Sequence, residues 1–360
     1  MSILISSLYY KVLSTNNKGI KFTFDSSLKI LYSWKPFLII SASGDKYKVL
    51  KRESIGVFAP ATVANVGCGF DIFGLALNRP GDLVRLKVND KPGVRITSIR
   101  GDDGLLPASA DRNTAGKSLL TMLLALEADF GIDMELEKQM PVGSGLGSSA
   151  ASAVASVFAL NRMLKKPFSV PELLTFAIEG ERLASGDTVH LDNIAACLFG
   201  GFILVREKQP PDIIQIPVPE DLHFTIIHPR IEVKTSESRK MIRSRLSLPL
   251  AITQWGNVAG VVTALFQSDY DLLKRSLTDV IVEPVRSMLI PHYARMKKCA
   301  LDNGASGFGI SGSGPSVFAV LRSQEQGERL GDELGAVLKE HGIEYDLYVS
   351  AVNKEGPKEI

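Results

Sequence analysis

A glycine-rich stretch in the middle of the chain restricts the possible folds more than any other feature. It reads PVGSGLGSSAASAV and runs from Pro141 to Val154. Its three glycines, Gly143, Gly145 and Gly147, can adopt positive φ and let a ligand approach the main chain. The residues that follow place apolar side chains at spacings of three and four, which is the pattern of a buried helical face. The sequence therefore predicts a glycine loop that leads into the N-terminus of a helix.

A loop at the N-terminus of a helix is suited to binding a phosphate or another anion. The first backbone N–H groups of a helix have no partner within it, and the helix dipole adds about half a positive charge there. The hydroxyls of Ser148 and Ser149 can cap the helix, contact a phosphate or reach a metal ion. The chain has no P-loop, because Asp111 stands at the first glycine position before its only GKS tripeptide. It has no dinucleotide fingerprint either, because the GxGxxG pattern at Gly307–Gly312 leads into a strand-like segment.

The composition is that of a globular chain. Its 360 residues are 45% hydrophobic and 22% charged, which suits two domains of modest size. The three cysteines, Cys68, Cys197 and Cys299, are far apart and lack metal-ligand spacing, so they favour a reducing cytoplasm. No apolar run approaches the length of a membrane span, so we expect no membrane partner. Of the net charge of +2, residues 1–54 contribute +6, and the remaining −4 gives no support for nucleic-acid binding.

Residues 1–54 differ in kind from the rest of the chain. They contain four of the eight tyrosines but only two of the 31 glycines. They lack the features of a secretory signal, and they have a single arginine where a transit peptide has many. A start codon assigned too far upstream and a genuine but poorly packed extension are the two explanations left open. We expect this segment to lie outside the folded domains, unless the apolar run Phe37–Ile40 packs on them as an extra strand.

Strand-like and helix-like segments alternate along the body of the chain from Ile55. The stretch from Ile55 begins as a predicted strand, passes through Pro60 and enters a loop that bears Asn65, Gly67, Gly69 and Asp71. GDLVRLKVND is a further predicted strand, whereas NTAGKSLLTMLLALEADFG and VPELLTFAIEGERLASG are predicted helices. A second half with the same mixture follows a proline-rich stretch at Glu207–Pro219. The sequence therefore predicts an α/β or α+β protein with domains over residues 55–210 and 211–360.

Five motifs, taken in order along the chain, resemble the GHMP small-molecule kinases and, among them, the homoserine kinase family. They are APATVANVGCGFDIFGLAL, PVGSGLGSSAASAV, HLDNIAACLFGG, EPVRSMLIP and GISGSGPSVFAV, and the resemblance covers residues 55–352. The chain departs from the family pattern at Cys68, where many members have proline, and in SGDTVHLDN, which is one residue longer than usual. The resemblance implies an α+β fold with an N-terminal domain like domain 2 of ribosomal protein S5 and a ferredoxin-like C-terminal domain.

The resemblance also implies that the protein binds ATP and Mg²⁺. In the family, ATP is bound through the glycine loop, and magnesium is held by a loop serine and a glutamate that match Ser148 and Glu181. Oxygen ligands together with substrate phosphates are what Mg²⁺ prefers. The nucleotide-binding residues implied are Pro141, Val142, Gly143, Ser144, Gly145, Leu146, Gly147, Ser148, Ser149, Ala150, Ala151, Asn113 and Thr235.

The acceptor implied by the resemblance is L-homoserine, which is phosphorylated on its hydroxyl in threonine biosynthesis. Its ammonium group can be met by Asp71 and Asp192, and its carboxylate by the forked guanidinium groups of Arg239 and Arg286. We expect Asp192 to bind substrate, and a role as a base stays open. The resemblance implies the catalytic residues Asp192, Glu181 and Ser148, and the substrate-binding residues Asn65, Asp71, Asp192, Asn193, Arg239, Arg286, Gly312, Ser313 and Gly314.

Two other functions stay open on the sequence alone. One is a different GHMP kinase that acts on mevalonate, a sugar or a diphosphocytidyl erythritol, although these acceptors lack the ammonium and carboxylate that the charged residues would bind. The other is a ligand sensor that kept the fold without catalysis, and the retained Ser148, Glu181 and glycine loop argue against it. Relatives of this kind are commonly dimers, so we expect a cytoplasmic homodimer.

Overall fold

The computed structural model describes residues 49–186, 189–233 and 235–360. Most of the predicted N-terminal extension, residues 1–48, lies outside the described residues. The side chains of Ser185, Thr235 and Ser236 also lie outside them.

The described chain contains eleven strands in two sheets. The first sheet has the order β11-β1-β2-β4-β3, with β5 paired to β2 and β6 paired to β5, and the second has the order β10-β7-β9-β8. The strands are β1 (Ser54–Ala64), β2 (Phe73–Asn89), β3 (Gly93–Arg100), β4 (Gly131–Glu137), β5 (Phe202–Lys208), β6 (Pro211–Ile216), β7 (His223–Pro229), β8 (Gly307–Ile310), β9 (Val317–Leu321), β10 (Tyr345–Ala351) and β11 (Lys358–Glu359).

The described residues also form ten α-helices and two short 3₁₀ helices, at Ala110–Arg112 and Ser287–Leu289. The α-helices are α1 (Thr114–Ala125), α2 (Ser148–Met163), α3 (Val170–Ser185), α4 (Leu191–Phe199), α5 (Thr235–Lys240), α6 (Leu248–Gln267), α7 (Tyr270–Ser276), α8 (Glu283–Arg286), α9 (Tyr293–Asp302) and α10 (Gln324–Lys339).

Helix α2 packs at the centre of the first layer. It contacts β1, β2 and the helices α1, α3 and α4. Small side chains make this possible, since Ala151, Ala153 and Ala155 are fully buried and leave room for neighbouring elements to approach closely. The N-terminus of α2, which follows the glycine loop, is therefore held rigidly against the sheet.

The second sheet is antiparallel throughout and has its own core. Strand β7 pairs with β10 and β9, and β8 pairs with β9. Helices α9 and α10 pack on this sheet through a cluster that includes Met296, Phe308 and Leu334. Two sheets with separate helix layers and mainly antiparallel pairing confirm the predicted α+β class.

The predicted domain boundary at 210/211 does not follow the sheets. Strand β6 pairs with β5 and belongs to the first sheet, so the chain passes to the second sheet between Ile216 and His223. The C-terminal end also returns to the first sheet, because Val352 bridges Leu77 and β11 pairs with β1. We therefore propose a first domain over residues 49–216 and 352–360, with the second domain between them.

The last residues of the predicted extension pack against the first domain. Leu50 is 7% exposed and forms an isolated β-bridge with Leu164. The backbone of Lys165 donates to the carbonyl of Val49 at 2.9 Å, and that of Lys51 donates to Met163 at 2.9 Å. The predicted boundary at residue 54 therefore falls too late, since an apolar side chain before it is part of the core.

Candidate active site

A cleft of about 680 Å³ brings most of the predicted site residues together. They come from segments far apart in the chain, including the β1–β2 loop, the glycine loop, α3, α4, α5, α8 and the loop after β8. The predicted residues that line it are Asn65, Asp71, Asn113, Val142, Gly143, Ser144, Gly145, Gly147, Ser148, Ser149, Glu181, Asp192, Asn193, Arg239, Arg286, Gly312 and Ser313.

Several predicted residues do not line this cleft. Leu146, Ala150 and Ala151 are fully buried, so their side chains belong to the core and any ligand contact is restricted to their backbone. Pro141 and Gly314 are also absent from its wall. The predicted contact of the Thr235 side chain with a phosphate lies outside the described residues.

The glycine loop has the backbone conformation that its sequence predicts. Gly143, Gly145 and Gly147 have φ of 76°, 79° and 69°. A Cβ on Gly147 would lie 2.0 Å from the hydroxyl oxygen of Thr62, so only glycine fits there. Gly147 is the N-cap of α2, and the unpaired N–H groups of the helix begin at this point. The loop therefore has the backbone geometry that suits an anion.

The glycine loop is supported by the glycine motif that follows β8. The Ser311 hydroxyl donates to the carbonyl of Gly145 at 2.8 Å, and the backbone of Ser316 donates to Ser144 at 3.3 Å. The Ser144 hydroxyl is buried, lines the cleft and has no hydrogen-bond partner among the described residues. A phosphate oxygen is the kind of acceptor that this buried hydroxyl lacks.

A buried ion pair lies below the loop. Lys138 and Asp82 are in contact, and their side chains are 2% and 1% exposed. The Lys138 ammonium also donates to the backbone carbonyl of Ser148 at 2.9 Å and to the Ser152 hydroxyl at 2.6 Å. The Ser148 hydroxyl in turn donates to Asp82 at 3.0 Å. Loss of either charged partner would cost about 3–5 kcal/mol, so the pair holds the first turn of α2 in place.

The buried Glu181 and the partly exposed His190 form a second pair at the cleft. The Glu181 side chain is 1% exposed, and its Oε1 lies 3.1 Å from Nδ1 of His190. Burial opposes protonation of His190, but the hydrogen bond and charge of Glu181, with the charges of Asp192 and Asp71, outweigh it and raise its pKa. The imidazole is therefore a partner that stabilises the negative charge of Glu181.

Asp71 lies on a loop whose backbone is unusual. Asn65 and Asp71 have φ of 71° and 61°, a region that residues other than glycine rarely adopt. Such strain is typical of functional sites. Arg239 donates to both carboxylate oxygens of Asp71, at 3.3 and 2.5 Å, and Lys208 contacts it at 3.1 Å. Burial alone would raise the pKa of Asp71, but Arg239 and Lys208 outweigh it and lower the pKa.

Arg286 is a buried cation at the same end of the cleft. It is 3% exposed, and it donates to the carbonyl of Gly312 at 2.8 Å. The Phe70 ring lies near both arginines, with its centre 5.1 Å from the guanidinium carbon of Arg286 and 5.5 Å from that of Arg239. Burial lowers the pKa of Arg286 to about 10, so the side chain stays protonated at neutral pH.

Asp192 is 3% exposed and lies in the first turn of α4. Its carboxylate accepts from the backbone of Asn193 at 3.1 Å. Burial, and next the negative charge of Asp71, raise its pKa to about 6. The Asn193 amide oxygen accepts from the Thr62 hydroxyl at 2.6 Å, which fixes its orientation. A cation placed beside this carboxylate would lower its pKa and stabilise the anion.

Two family descriptions match this chain, one within each of the two domains described above. The family description "GHMP kinases N terminal domain" matches residues 113–201, and "GHMP kinases C terminal" matches residues 261–340. The chain is 44% identical over 321 residues to a homoserine kinase from Chlorobium phaeobacteroides (strain BS1), covering 86% of this chain and 100% of that protein. A homoserine kinase from Chlorobaculum tepidum is 42% identical, with 86% and 98% covered.

The chain belongs to the homoserine kinase family of the GHMP kinases. The crystal structure of homoserine kinase from Cytophaga hutchinsonii is 52% identical to it, with a TM-score of 0.84 over 86% of this chain and 98% of that chain. The predicted family and the predicted two-domain GHMP kinase fold are therefore confirmed. In this member of the family, sequence reasoning missed Asp82, Lys138, His190, Phe70 and Lys208, although His190 and Phe70 lie inside the recognised motifs.

Proposed function

We propose that the protein transfers the γ-phosphoryl group of ATP to the hydroxyl of L-homoserine, giving ADP and O-phospho-L-homoserine. The observation that carries this proposal is the cleft itself, in which an anion cradle at Gly143–Gly147 shares one cavity with the charged groups Asp71, Asp192, Arg239 and Arg286. The homoserine kinase relatives support the same reaction. The reaction is the phosphorylation step of threonine biosynthesis.

The nucleotide phosphates are proposed to bind at the glycine loop. The loop N–H groups and the dipole of α2 favour negative charge there, and the Ser144 hydroxyl is a further donor. Asn113 lines the cleft, and its predicted contact with the nucleotide stays a prediction. Its Oδ1 accepts from the backbone of Ala115 and Gly116 at 3.1 and 3.4 Å, so it caps α1 and shapes the cleft wall.

The residues present fit a magnesium ion that shares its ligands with ATP. The described residues hold no cluster of three or more His, Cys, Asp or Glu side chains, so a metal needs oxygens from the phosphates as well. Glu181 is the carboxylate proposed to hold it, beside a loop hydroxyl. The Ser148 hydroxyl is buried and already donates to Asp82, whereas Ser149 is half-buried. We therefore propose either Ser148 or Ser149 as the loop ligand of the metal. Bound Mg²⁺ would neutralise charge that develops on the phosphates.

The acceptor amino acid is proposed to bind between the buried carboxylate of Asp192 and the buried guanidinium group of Arg286. Asp192 receives the ammonium, because an adjacent cation stabilises the anion of a buried carboxylate. Arg286 receives the carboxylate, with Asn65 and Asn193 orienting the substrate. Arg239 is already paired with Asp71, so its contribution to the substrate carboxylate is shared with that partner.

Phosphoryl transfer depends on positioning and charge neutralisation more than on covalent help from the protein. The cleft residues serve this requirement, since the loop holds one reactant and the charged groups orient the other. Asp192 is assigned to the ammonium of the substrate in this arrangement, and its substitution is expected to change the homoserine KM.

The reaction is tested by ADP release in a coupled assay with ATP, Mg²⁺ and either homoserine, mevalonate or galactose. We expect ADP release with homoserine and none with mevalonate or galactose. Turnover of mevalonate or galactose without homoserine would make the protein a different GHMP kinase. Homoserine binding without turnover of any acceptor would make it a sensor.

The metal-ligating serine is identified by the Mg²⁺ dependence of the variants Ser148→Ala and Ser149→Ala. It is the serine whose loss raises the Mg²⁺ concentration that the reaction requires.

We propose that the enzyme is a cytoplasmic homodimer and that the outer face of α6 forms its interface. This helix carries no charged residue from Leu248 to Gln267. By length and composition only, it is long and apolar enough to cross a membrane, so the expectation that no apolar run approaches that length was wrong. Its inner face is packed into the domain through Val261, Ala264 and Leu265, which supports a surface helix over a membrane span.

The exposed side chains of α6 are sufficient for the centre of a stable interface. Leu248, Ile252, Trp255 and Phe266 are between 55% and 64% exposed. Side chains of this size present roughly 500 Å² of apolar surface together, against about 800 Å² per partner in a standard interface. Trp255→Arg should convert the dimer to monomers in light scattering, whereas Leu124→Arg, at a comparably exposed site on α1, should not. A wild type that is monomeric at all concentrations would refute the proposal.

A further inference from the structure

Helix α6 carries one buried polar side chain that reaches two other segments. Gln254 is 7% exposed. Its Nε2 donates to the backbone carbonyl of Cys68 at 2.7 Å and to Oδ1 of Asp279 at 3.0 Å, and its Oε1 accepts from the backbone of Val280 at 3.0 Å. These three hydrogen bonds connect α6 to the β1–β2 loop on one side and to residues 279–280 on the other.

Asp279 continues this network to α8. Its Oδ1 accepts from the backbone of Ile281 and Val282 at 2.9 and 3.0 Å, and its Oδ2 accepts from Glu283 at 2.9 Å. Helix α8 has only four residues and ends at Arg286, so its own hydrogen bonds cannot stabilise it in isolation. The carboxylate that collects these N–H groups therefore sets the position from which Arg286 enters the cleft.

The other end of the network holds the strained β1–β2 loop. Cys68 precedes Phe70 and Asp71, which lie in the cleft. The loop contains three residues other than glycine with positive φ, Asn65, Val66 and Asp71. A backbone in this conformation persists only when its surroundings hold it, and the bond from Gln254 to the Cys68 carbonyl is one such contact.

We infer that Gln254 and Asp279 are positioning residues for the acceptor amino acid. Neither lines the large cleft, yet together they fix the distance between the loop that carries Asp71 and the helix that carries Arg286. In the proposed arrangement Asn65, on the same loop, orients the substrate and Arg286 binds its carboxylate, so these two side chains must be held at one separation. This inference rests on the proposed function, because it assigns the acceptor to that end of the cleft.

The nucleotide end of the cleft is held by different contacts. The glycine loop is tied to β1 by the bond from Thr62 to the carbonyl of Leu146, and to the last glycine motif through Ser311. A change in Gln254 should therefore alter homoserine binding much more than ATP binding. A purely structural role would lower stability and leave both KM values unchanged.

The decisive variant is Gln254→Glu, which changes one atom. The new carboxylate oxygen would face the Cys68 carbonyl and the Asp279 carboxylate, so two hydrogen bonds would become repulsions. Asn257→Asp is the matched control, because it makes the same substitution three residues later on α6. The Asn257 amide donates to the carbonyl of Thr278 at 2.7 Å in an exposed position, and among the described residues it has no bond to the β1–β2 loop or to Asp279.

We expect Gln254→Glu to raise the homoserine KM by about tenfold or more, as for the loss of a buried hydrogen bond, with the ATP KM within about twofold. Asp279→Asn, which keeps an acceptor oxygen, should raise the homoserine KM by a smaller factor. Homoserine should also stabilise Gln254→Glu less than wild type in thermal melts, while Mg²⁺–ATP stabilises both equally. This second measurement requires no turnover.

Three results would overturn the inference. They are an unchanged homoserine KM in Gln254→Glu, equal increases in the KM values of both substrates, and the same change in Asn257→Asp. The wild-type assay is separate from these outcomes. A wild type that does not phosphorylate homoserine would refute the proposed function, whereas an active wild type with an unaffected Gln254→Glu would refute only the positioning role.

Discussion

Substitution of Asp192 by asparagine is expected to make the protein more stable and less active. The Asp192 carboxyl has an ordinary pKa of 3.8, and burial followed by the charge of Asp71 raises it to about 6. At pH 7 the Asp192 carboxyl is ionised in the folded state, and this ionisation costs more free energy there than in the unfolded chain. The difference corresponds to about 3 kcal/mol of lost stability, because asparagine can keep the hydrogen bond from the backbone of Asn193 without the charge.

The stability difference between Asp192→Asn and wild type should increase as pH rises. Between pH 3.8 and about 6 the folded wild type binds a proton at Asp192 that the unfolded chain has released, so wild-type stability falls as pH rises through this range. The Asn variant does not share this loss. Its advantage should be about 1 kcal/mol at pH 4.5 and about 3 kcal/mol at pH 7.5, and it should stay constant at higher pH.

The measurement is the free energy of unfolding in urea at pH 4.5, 5.5 and 7.5, together with the melting temperature, which should rise by roughly 6 °C at pH 7.5. Asp71→Asn is the matched control. Arg239 and Lys208 lower the pKa of Asp71 against its burial, so its loss should destabilise the protein at pH 7.5 and less so below pH 3.8. An Asp192→Asn variant that is no more stable than wild type at pH 7.5 would refute the reasoning.

Three further predictions concern the acceptor site, the metal and the N-terminus. Arg286→Leu should raise the homoserine KM by at least about tenfold with little effect on the ATP KM, and Arg239→Leu should do so less strongly because of its pairing with Asp71; equal loss of ATP affinity would contradict this. Glu181→Gln should raise the Mg²⁺ concentration needed for half-maximal rate and lower kcat, and an unchanged magnesium titration would remove Glu181 from the site. A chain that begins at Val49 should keep full activity and melting temperature, whereas Leu50→Asp should lower the melting temperature because it places a charge in the core.

The parts of the site that lie close together in the sequence were predictable. The glycine loop works through backbone conformation, and the positive φ of Gly143, Gly145 and Gly147 follows from the residue type. The start of α3 was predictable from neighbouring residues as well, because Ser169 and Glu172 form a capping box next to a proline. The acceptor residues required the resemblance, since an isolated arginine or aspartate has no distinctive local pattern.

The parts that depend on long-range contacts could not be predicted. Lys138 and Asp82 lie 56 positions apart, and neither belongs to a recognisable motif. The segment DLLKRSLTDV, Asp271–Val280, has a helix-like pattern in the sequence, but α7 ends at Ser276. The residues that follow turn, and the Asp279 carboxylate accepts from the backbone of Glu283 at the start of α8. Strand β2 continues through Pro80, where sequence rules favour a break.

The return of the C-terminal end to the first sheet has a consequence for synthesis on the ribosome. Strand β1 is made long before its partner β11, with Val57 opposite Glu359 and the backbone of Ile360 bonded to Gly56. A nascent chain therefore presents the free edge of β1 to other molecules until β11 has been made. Removal of β11 would leave that edge exposed on an otherwise folded protein, where it is able to pair with other chains.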